Sequence, residues 1–222
     1  MTDFHAHVLP GADHGSDGLK TSLRQLELAE AAGIRTLIAT PHFYPQSDDF
    51  KQFLRKRERT FQELLANYHG TVQILPGAEV HMCVGLDHLA GLEEVCIPGT
   101  RVMLAELPMR SYPGGLTETF TRLMEERNLD PILAHVDRYP PERIDELFSI
   151  GLRGQLNADA LTGLLIRRKY INWIDSGLIV ALGSDIHGTK IGYANYLKAV
   201  SKLGGRARVL ERRVTALIRN QE

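Results

Sequence analysis

Short apolar runs alternate with amphipathic stretches along the whole chain. Residues 4–8, 34–40, 72–75, 102–107, 131–134, 154–157 and 178–183 are largely apolar and of strand length. Residues 34–40 among them read as a buried strand. Between the first two, Leu19, Leu23, Leu26 and Ala29 recur at helical spacing and Gly33 follows as a stop. Helical patterning is also predicted over residues 49–68, 115–128, 141–150, 160–175, 192–203 and a basic final stretch, 206–219. Residues 83–100 predict only a short helix and a loop. Strand followed by helix, repeated about seven times, predicts parallel strands joined by right-handed crossovers. Seven such units in 222 residues, without an internal repeat or linker, fit one α/β domain over residues 1–222, closed as a barrel more than opened as a sheet.

Composition narrows the classes of function. With 43% hydrophobic and 24% charged residues the chain can build a sizeable core, so disorder is excluded. A formal net charge of -1 gives no electrostatic reason to expect nucleic acid or an anionic membrane. Cys83 and Cys96 are too few for a disulfide framework or a thiolate zinc site. They also lack the Cys-x5-Arg loop of thiol phosphatases. No apolar run reaches the length of a membrane span, and the first residues lack a basic region with an apolar core. A cytoplasmic protein without membrane insertion is the expectation.

The candidate chemistry lies at the ends of the predicted strands. His5 and His7 sit on the first and His14 in the loop after it, while His42, Glu79, Glu106 and His135 end or follow later ones. Asp185 and His187 follow the last strand. In a parallel α/β barrel the C-terminal ends of the strands open on one face, so residues distant in sequence converge there. His5 and His7, two apart on a strand, point to the same side and can grip one ion together. Asp185 and His187 repeat that spacing. Imidazole and carboxylate donors suit zinc, iron or manganese. His81, two residues beyond Glu79, could line the same site, whereas His69 and His88 fall on helical or loop segments and read as solvated.

Asp3-Phe4-His5-Ala6-His7, Ala39-Thr40-Pro41-His42, Gly77-Ala78-Glu79, Glu106, Ala134-His135-Val136-Asp137-Arg138-Tyr139 and Ser184-Asp185-Ile186-His187 together resemble the polymerase-and-histidinol-phosphatase (PHP) family. Within it, the run from His5 to Gly15 and the His-x-x-Arg-Tyr element at His135 resemble the CpsB-like bacterial protein-tyrosine phosphatases. The resemblance implies a distorted (β/α)7 barrel of PHP type and a metal-dependent phosphomonoester hydrolase. It implies two or three divalent ions, manganese, iron or zinc. The first would take His5, His7, Glu79 and Asp185; the second would share Glu79 and add Glu106 and His135; the third would take His14, His42 and His187. Three divalent ions would outweigh the three carboxylates and leave a positive field for a phosphomonoester dianion. The implied partner is a phosphotyrosine protein, a tyrosine kinase of capsule or exopolysaccharide synthesis.

Two departures matter. The related phosphatases usually carry aspartate where this chain has His14, so a third site here would be all imidazole. A second arginine expected after Asp185-Ile186-His187 is missing, and Lys190 is the nearest cation. Arg138 is the candidate phosphate clamp, because guanidinium binds phosphate oxygens bidentately. Arg110 and Lys190 are further substrate-binding candidates, and Tyr112 or Tyr139 could stack on an aromatic leaving group. Two other functions fit the same ligands: a small-molecule phosphatase, such as one acting on histidinol phosphate, and a non-catalytic metal-stabilised binding module.

Overall fold

The structure is a computed structural model that describes residues 1–109, 112–190 and 192–219. Its strands are β1 (Thr2–His7), β2 (Thr36–Ala39), β3 (His42–Phe43), β4 (Gln73–Pro76), β5 (Glu79–His81), β6 (Val102–Glu106), β7 (Asp130–Leu133), β8 (Arg153–Asn157), β9 (Ile179–Gly183) and β10 (Ile186–His187). Its helices are α1 (Leu19–Ala31), α2 (Phe50–Asn67), α3 (Leu116–Glu125), α4 (Pro141–Ser149), α5 (Arg168–Asp175), α6 (Ala194–Leu203) and α7 (Gly205–Ile218).

The strands form two parallel sheets, ordered β10-β1-β2-β4 and β3-β5-β6-β7-β8-β9. Three long strands break and resume in the other sheet: β2 continues as β3, β4 as β5, and β9 as β10. The breaks have chemical causes. Pro41 has no N–H to give a ladder. A Cβ on Gly77 would stand 3.1 Å from the Ile38 side chain, so the kink there is close-packed. At the third break Asp185 takes up a positive φ of 52°. Backbone bonds bridge the kinks, among them Gly77 N to Ala39 O at 2.8 Å and Asp185 N to His5 O at 2.8 Å. Counted through the breaks, seven strands follow one another in a ring, which is the distorted barrel expected from the sequence.

The pleat of β6 shows how the ring holds a site above a core. Val102, Leu104 and Glu106 share one face. The first two join Phe4, Ile38, Ile132, Ala134 and Val180 in an apolar cluster inside the ring, with Val214 and Leu217 of α7. Glu106, one step further along, emerges among the candidate ligands. Burying one such Phe or Leu side chain stabilises the fold by about 1.5–3 kcal/mol, so this floor resists sinking of the residues above it.

Residues 83–100 form two 3-10 turns, Leu86–His88 and Leu92–Val95, where a short helix and a loop were expected, and the helices differ at one further place. The predicted helix over 160–175 is a 3-10 turn at Ala158–Leu161, a loop, and then α5. Leu164 and Leu165 are 97% and 86% exposed, so they give the segment joining the 3-10 turn to α5 no apolar contact to hold it as helix. Among the described residues no helix is long and apolar enough to cross a membrane.

Candidate metal centre

The strand ends bring the predicted ligands together. His5, His7, Glu79 and His135 are almost completely buried. Four donor atoms, His5 Nε2, His7 Nε2, Glu79 Oε2 and Asp185 Oδ1, face one another. The two imidazole nitrogens are 3.0 Å apart. Glu79 Oε2 is 3.1 Å from the first and 3.2 Å from the second. Asp185 Oδ1 is 3.5 and 3.3 Å from the same atoms. Four donors held about 2.0–2.2 Å from one cation in a tetrahedron would be spaced about 3.3–3.6 Å apart. The arrangement therefore fits a metal ion.

The other candidate ligands gather around this group. His135 Nε2 is 2.8 Å from Glu79 Oε1 and 3.6 Å from Glu106 Oε1. His42 Nδ1 is 3.1 Å from Glu79 Oε2, outside hydrogen-bonding angles. Five buried side-chain polar atoms among the described residues lack a hydrogen-bond partner, and three belong here: Glu79 Oε2, His42 Nδ1 and His135 Nδ1. Buried polar atoms are rarely orphaned unless a ligand serves them. The donor atoms of His7, His42 and His187 lie within 4.8 Å of one another, as do those of His42, Glu79 and Glu106. His42 thus stands in two groups. His14 is exposed at the rim, its ring parallel to His42 at 4.7 Å and 4.8 Å from His187.

The electrostatics are those of tightly coupled groups. Burial alone would raise Glu79, but His5 and His135 hold it well below the usual carboxylate range. Burial opposes Asp185 in the same way, and His5 and His7 keep it low. Glu106 goes the other way, pushed up to about 7 by burial and by the charge of Glu79. His42 is pushed down to about 4 by burial and by His7.

Backbone strain is concentrated at the site. Among the described residues three non-glycine residues have positive φ, and two of them, His135 (31°) and Asp185 (52°), are ligand candidates. Such conformations persist only where the surroundings over-determine them. Gln155 and Asn157 of β8 do that. Gln155 Oε1 accepts from the His135 backbone N–H at 2.8 Å and faces His5 Nδ1 at 3.3 Å. Asn157 Nδ2 donates to Asp185 Oδ2 at 3.1 Å. Asp13 does the same on the other side, where His7 Nδ1 donates to its Oδ2 at 2.7 Å. Its two oxygens also take the backbone N–H groups of His42 and Gly15. Behind β1, fully buried Asp3 accepts from Ser184 N and Oγ and from the Tyr193 hydroxyl. The sequence reading missed Gln155, Asn157 and the role of Asp13. The signal for the first two was amide side chains two apart on a buried strand, the spacing already noted for His5 and His7.

Of the substrate-side candidates, Arg138 is half-exposed, lines a cavity of about 420 Å³ above the ligands and forms an ion pair with Asp185 through Nη2. Lys190 is exposed in the loop after β10 and does not line that cavity. Arg110 lies outside the described residues. Tyr139 is buried, exchanging hydrogen bonds with the backbone of Leu107, so it is a packing residue. Tyr112 lies under the Arg143 guanidinium at 3.5 Å. The exposed ring at the site is Tyr44, stacked on His42 at 5.4 Å. His81 faces Tyr44 at 5.7 Å and joins none of the ligand groups, while His69 and His88 are exposed. Burial pushes the Cys96 thiol up to about 12 and raises that of Cys83, which unsuits both as thiolate nucleophiles.

Residues 1–216 match the family model described as capsular polysaccharide synthesis, CpsB/CapC. The chain belongs to the CpsB/CapC family. Curated relatives include the tyrosine-protein phosphatase YwqE of Bacillus subtilis, 25% identical, with 86% of this chain and 78% of YwqE covered. The tyrosine-protein phosphatase CpsB of Streptococcus agalactiae is 22% identical, with 86% of this chain and 84% of CpsB covered. A solved structure from work on YwqE of B. subtilis and CpsB of Streptococcus pneumoniae, described as metal-dependent tyrosine phosphatases, superposes with a TM-score of 0.82 at 22% identity, covering 100% of this chain and 96% of that one. Histidinol phosphate phosphatase of Lactococcus lactis, solved with zinc, L-histidinol and phosphate, gives 0.63 at 15% identity, covering 92% and 93%. At these identities the two structures show a shared fold.

Proposed function

We propose that this CpsB/CapC protein is a metal-dependent phosphomonoester hydrolase acting on phosphotyrosine in proteins, with a tyrosine kinase of polysaccharide synthesis as its natural target. The observation that carries the reading is the convergence of His5, His7, Glu79 and Asp185 donors at coordination-sphere spacing under an open cavity. His42, Glu106, His135 and His187 stand within reach, and His14 stands at the rim. Two or three divalent ions, manganese, iron or zinc, would be held by these nine residues. When bound, they neutralise phosphate charge and activate water as the nucleophile.

The chain's own residues do the rest. Arg138 has five N–H donors and spends part of them on Asp185, leaving others for phosphate oxygens. The Tyr44 ring offers an exposed aromatic face beside His42 for the tyrosyl ring of the substrate. Gln155, Asn157 and Asp13 orient the ligands through their remaining hydrogen-bonding atoms. The cavity above the ligands shares His14, His42 and Tyr44 with a second, of about 970 Å³. A trough of that size suits a protein segment better than a small metabolite.

The test is turnover of a phosphotyrosine peptide and of histidinol phosphate by metal-reconstituted protein, against a chelated sample and His5→Ala. Faster turnover of the peptide, lost in both controls and reduced about a hundredfold in kcat/KM by Arg138→Ala, is expected. Preference for histidinol phosphate, or equal rates with and without chelator, would overturn the proposal.

A further inference from the structure

The larger of the two cavities, about 970 Å³, runs from the metal centre to α2. His14, His42 and Tyr44 line one end, and Arg55, Lys56 and Arg59 of α2 line the other. We infer that this trough is a second substrate subsite, in which Arg55, Lys56 and Arg59 hold acidic residues flanking the phosphotyrosine of a protein substrate. The inference rests on the phosphatase reading above and specifies which sequences it would favour.

The three cations are exposed, and among the described residues none of them has an ion pair or a hydrogen bond. Their neighbour Arg57 shows the alternative on the same helix. It turns inward, where its guanidinium donates to the backbone carbonyls of Gly77 and Glu94. An exposed cation is ordinarily a solvated helix face. Here three share one concave wall with residues of the metal centre. Arg55 and Arg59 are one turn apart and Lys56 lies beside them, so a single segment can meet all three.

Three carboxylates also line the trough, but each is committed to local donors. Asp13 serves His7 and two backbone N–H groups. Asp48 accepts from Tyr44 N at 2.8 Å, and Asp49 caps α2 by accepting from Gln52 N at 2.7 Å. All three sit at the metal end or the helix start, and the cations lie further along. Acidic groups on the segment that flanks the phosphotyrosine and runs along the trough would therefore meet the basic wall.

The experiment measures kcat/KM of the metal-loaded protein on four substrates: p-nitrophenyl phosphate and phosphotyrosine peptides flanked by glutamate, by alanine or by lysine. Wild-type protein should prefer the glutamate peptide over the alanine peptide by about tenfold, as three exposed charge pairs would give. The preference should shrink towards unity in 1 M salt, where the screening length falls to about 3 Å. R55E/K56E/R59E should lose the preference or reverse it, while turnover of p-nitrophenyl phosphate, too small to reach α2, stays at the wild-type rate. Equal kcat/KM on all three peptides, or a preference kept by the triple variant, would overturn the subsite and leave the phosphatase reading intact. Turnover of none of the four would overturn both.

Discussion

Replacing Asp13 with asparagine isolates a residue that touches no proposed ion yet holds one of its ligands. The His7 ring is buried, and its Nδ1 donates to Asp13 Oδ2 at 2.7 Å, the length of a charge-assisted bond. The same oxygen takes the His42 backbone N–H at 3.0 Å, and Oδ1 takes that of Gly15 at 2.9 Å. Asparagine keeps the shape but has one acceptor oxygen. With two donors already aimed at the Oδ2 position, the amide oxygen should settle there, and the Gly15 N–H should lose its partner. What remains on His7 is a neutral hydrogen bond, about half as strong. Outer-shell substitutions of this kind cost about 10–100-fold in metal affinity, or about 1.4–2.7 kcal/mol. Titration against a chromophoric chelator at pH 7 reads this directly, with exposed Asp17→Asn as the comparison. Asp13→Asn binding zinc or manganese within twofold of wild type would refute the claim that Asp13 orients His7.

Three further outcomes follow from the same geometry. Loading one ion at about a hundred times its Kd should add about 2.7 kcal/mol, raising Tm by about 5–11 °C; a thermal scan unchanged by metal would contradict the donor cluster. Gly183→Ala puts a methyl group 2.5 Å from His5 Cβ and from Gln155 Nε2, so about 1–3 kcal/mol should be lost from overpacking, with weakened metal binding in the chelator titration; wild-type stability and affinity together would show that the strand can give way. Tyr193→Phe removes the 2.6 Å donor to buried Asp3 and should cost about 1–3 kcal/mol, a fall in Tm of about 2–12 °C by calorimetry; an unchanged Tm would mean that water replaces the hydroxyl.

Most of the donor cluster proposed to hold metal, and the ring of strands, were legible in the sequence, because both depend on periodicity along the chain. Apolar runs of strand length recur between helical patterns, and a parallel barrel sends every strand end to one face, so donors at those ends had to meet. The short strands β3, β5 and β10 left no such trace. Two or three residues carry no period, and these segments exist because their parent strands kink at Pro41, Gly77 and Asp185. Leu164 and Leu165 carried a helical pattern that tertiary packing did not use. What only the folded molecule decided is how the candidate ligands are held. Gln155 reaches His135 from twenty residues away, and Asn157 reaches Asp185 across a strand pair. Positive φ at His135 and Asp185 is strain that the surrounding contacts impose. The spacing of residues along a strand is fixed by local geometry and can be read from order alone. The partner of a buried side chain is set by which strands lie next to each other in the ring, and that is a property of the tertiary fold.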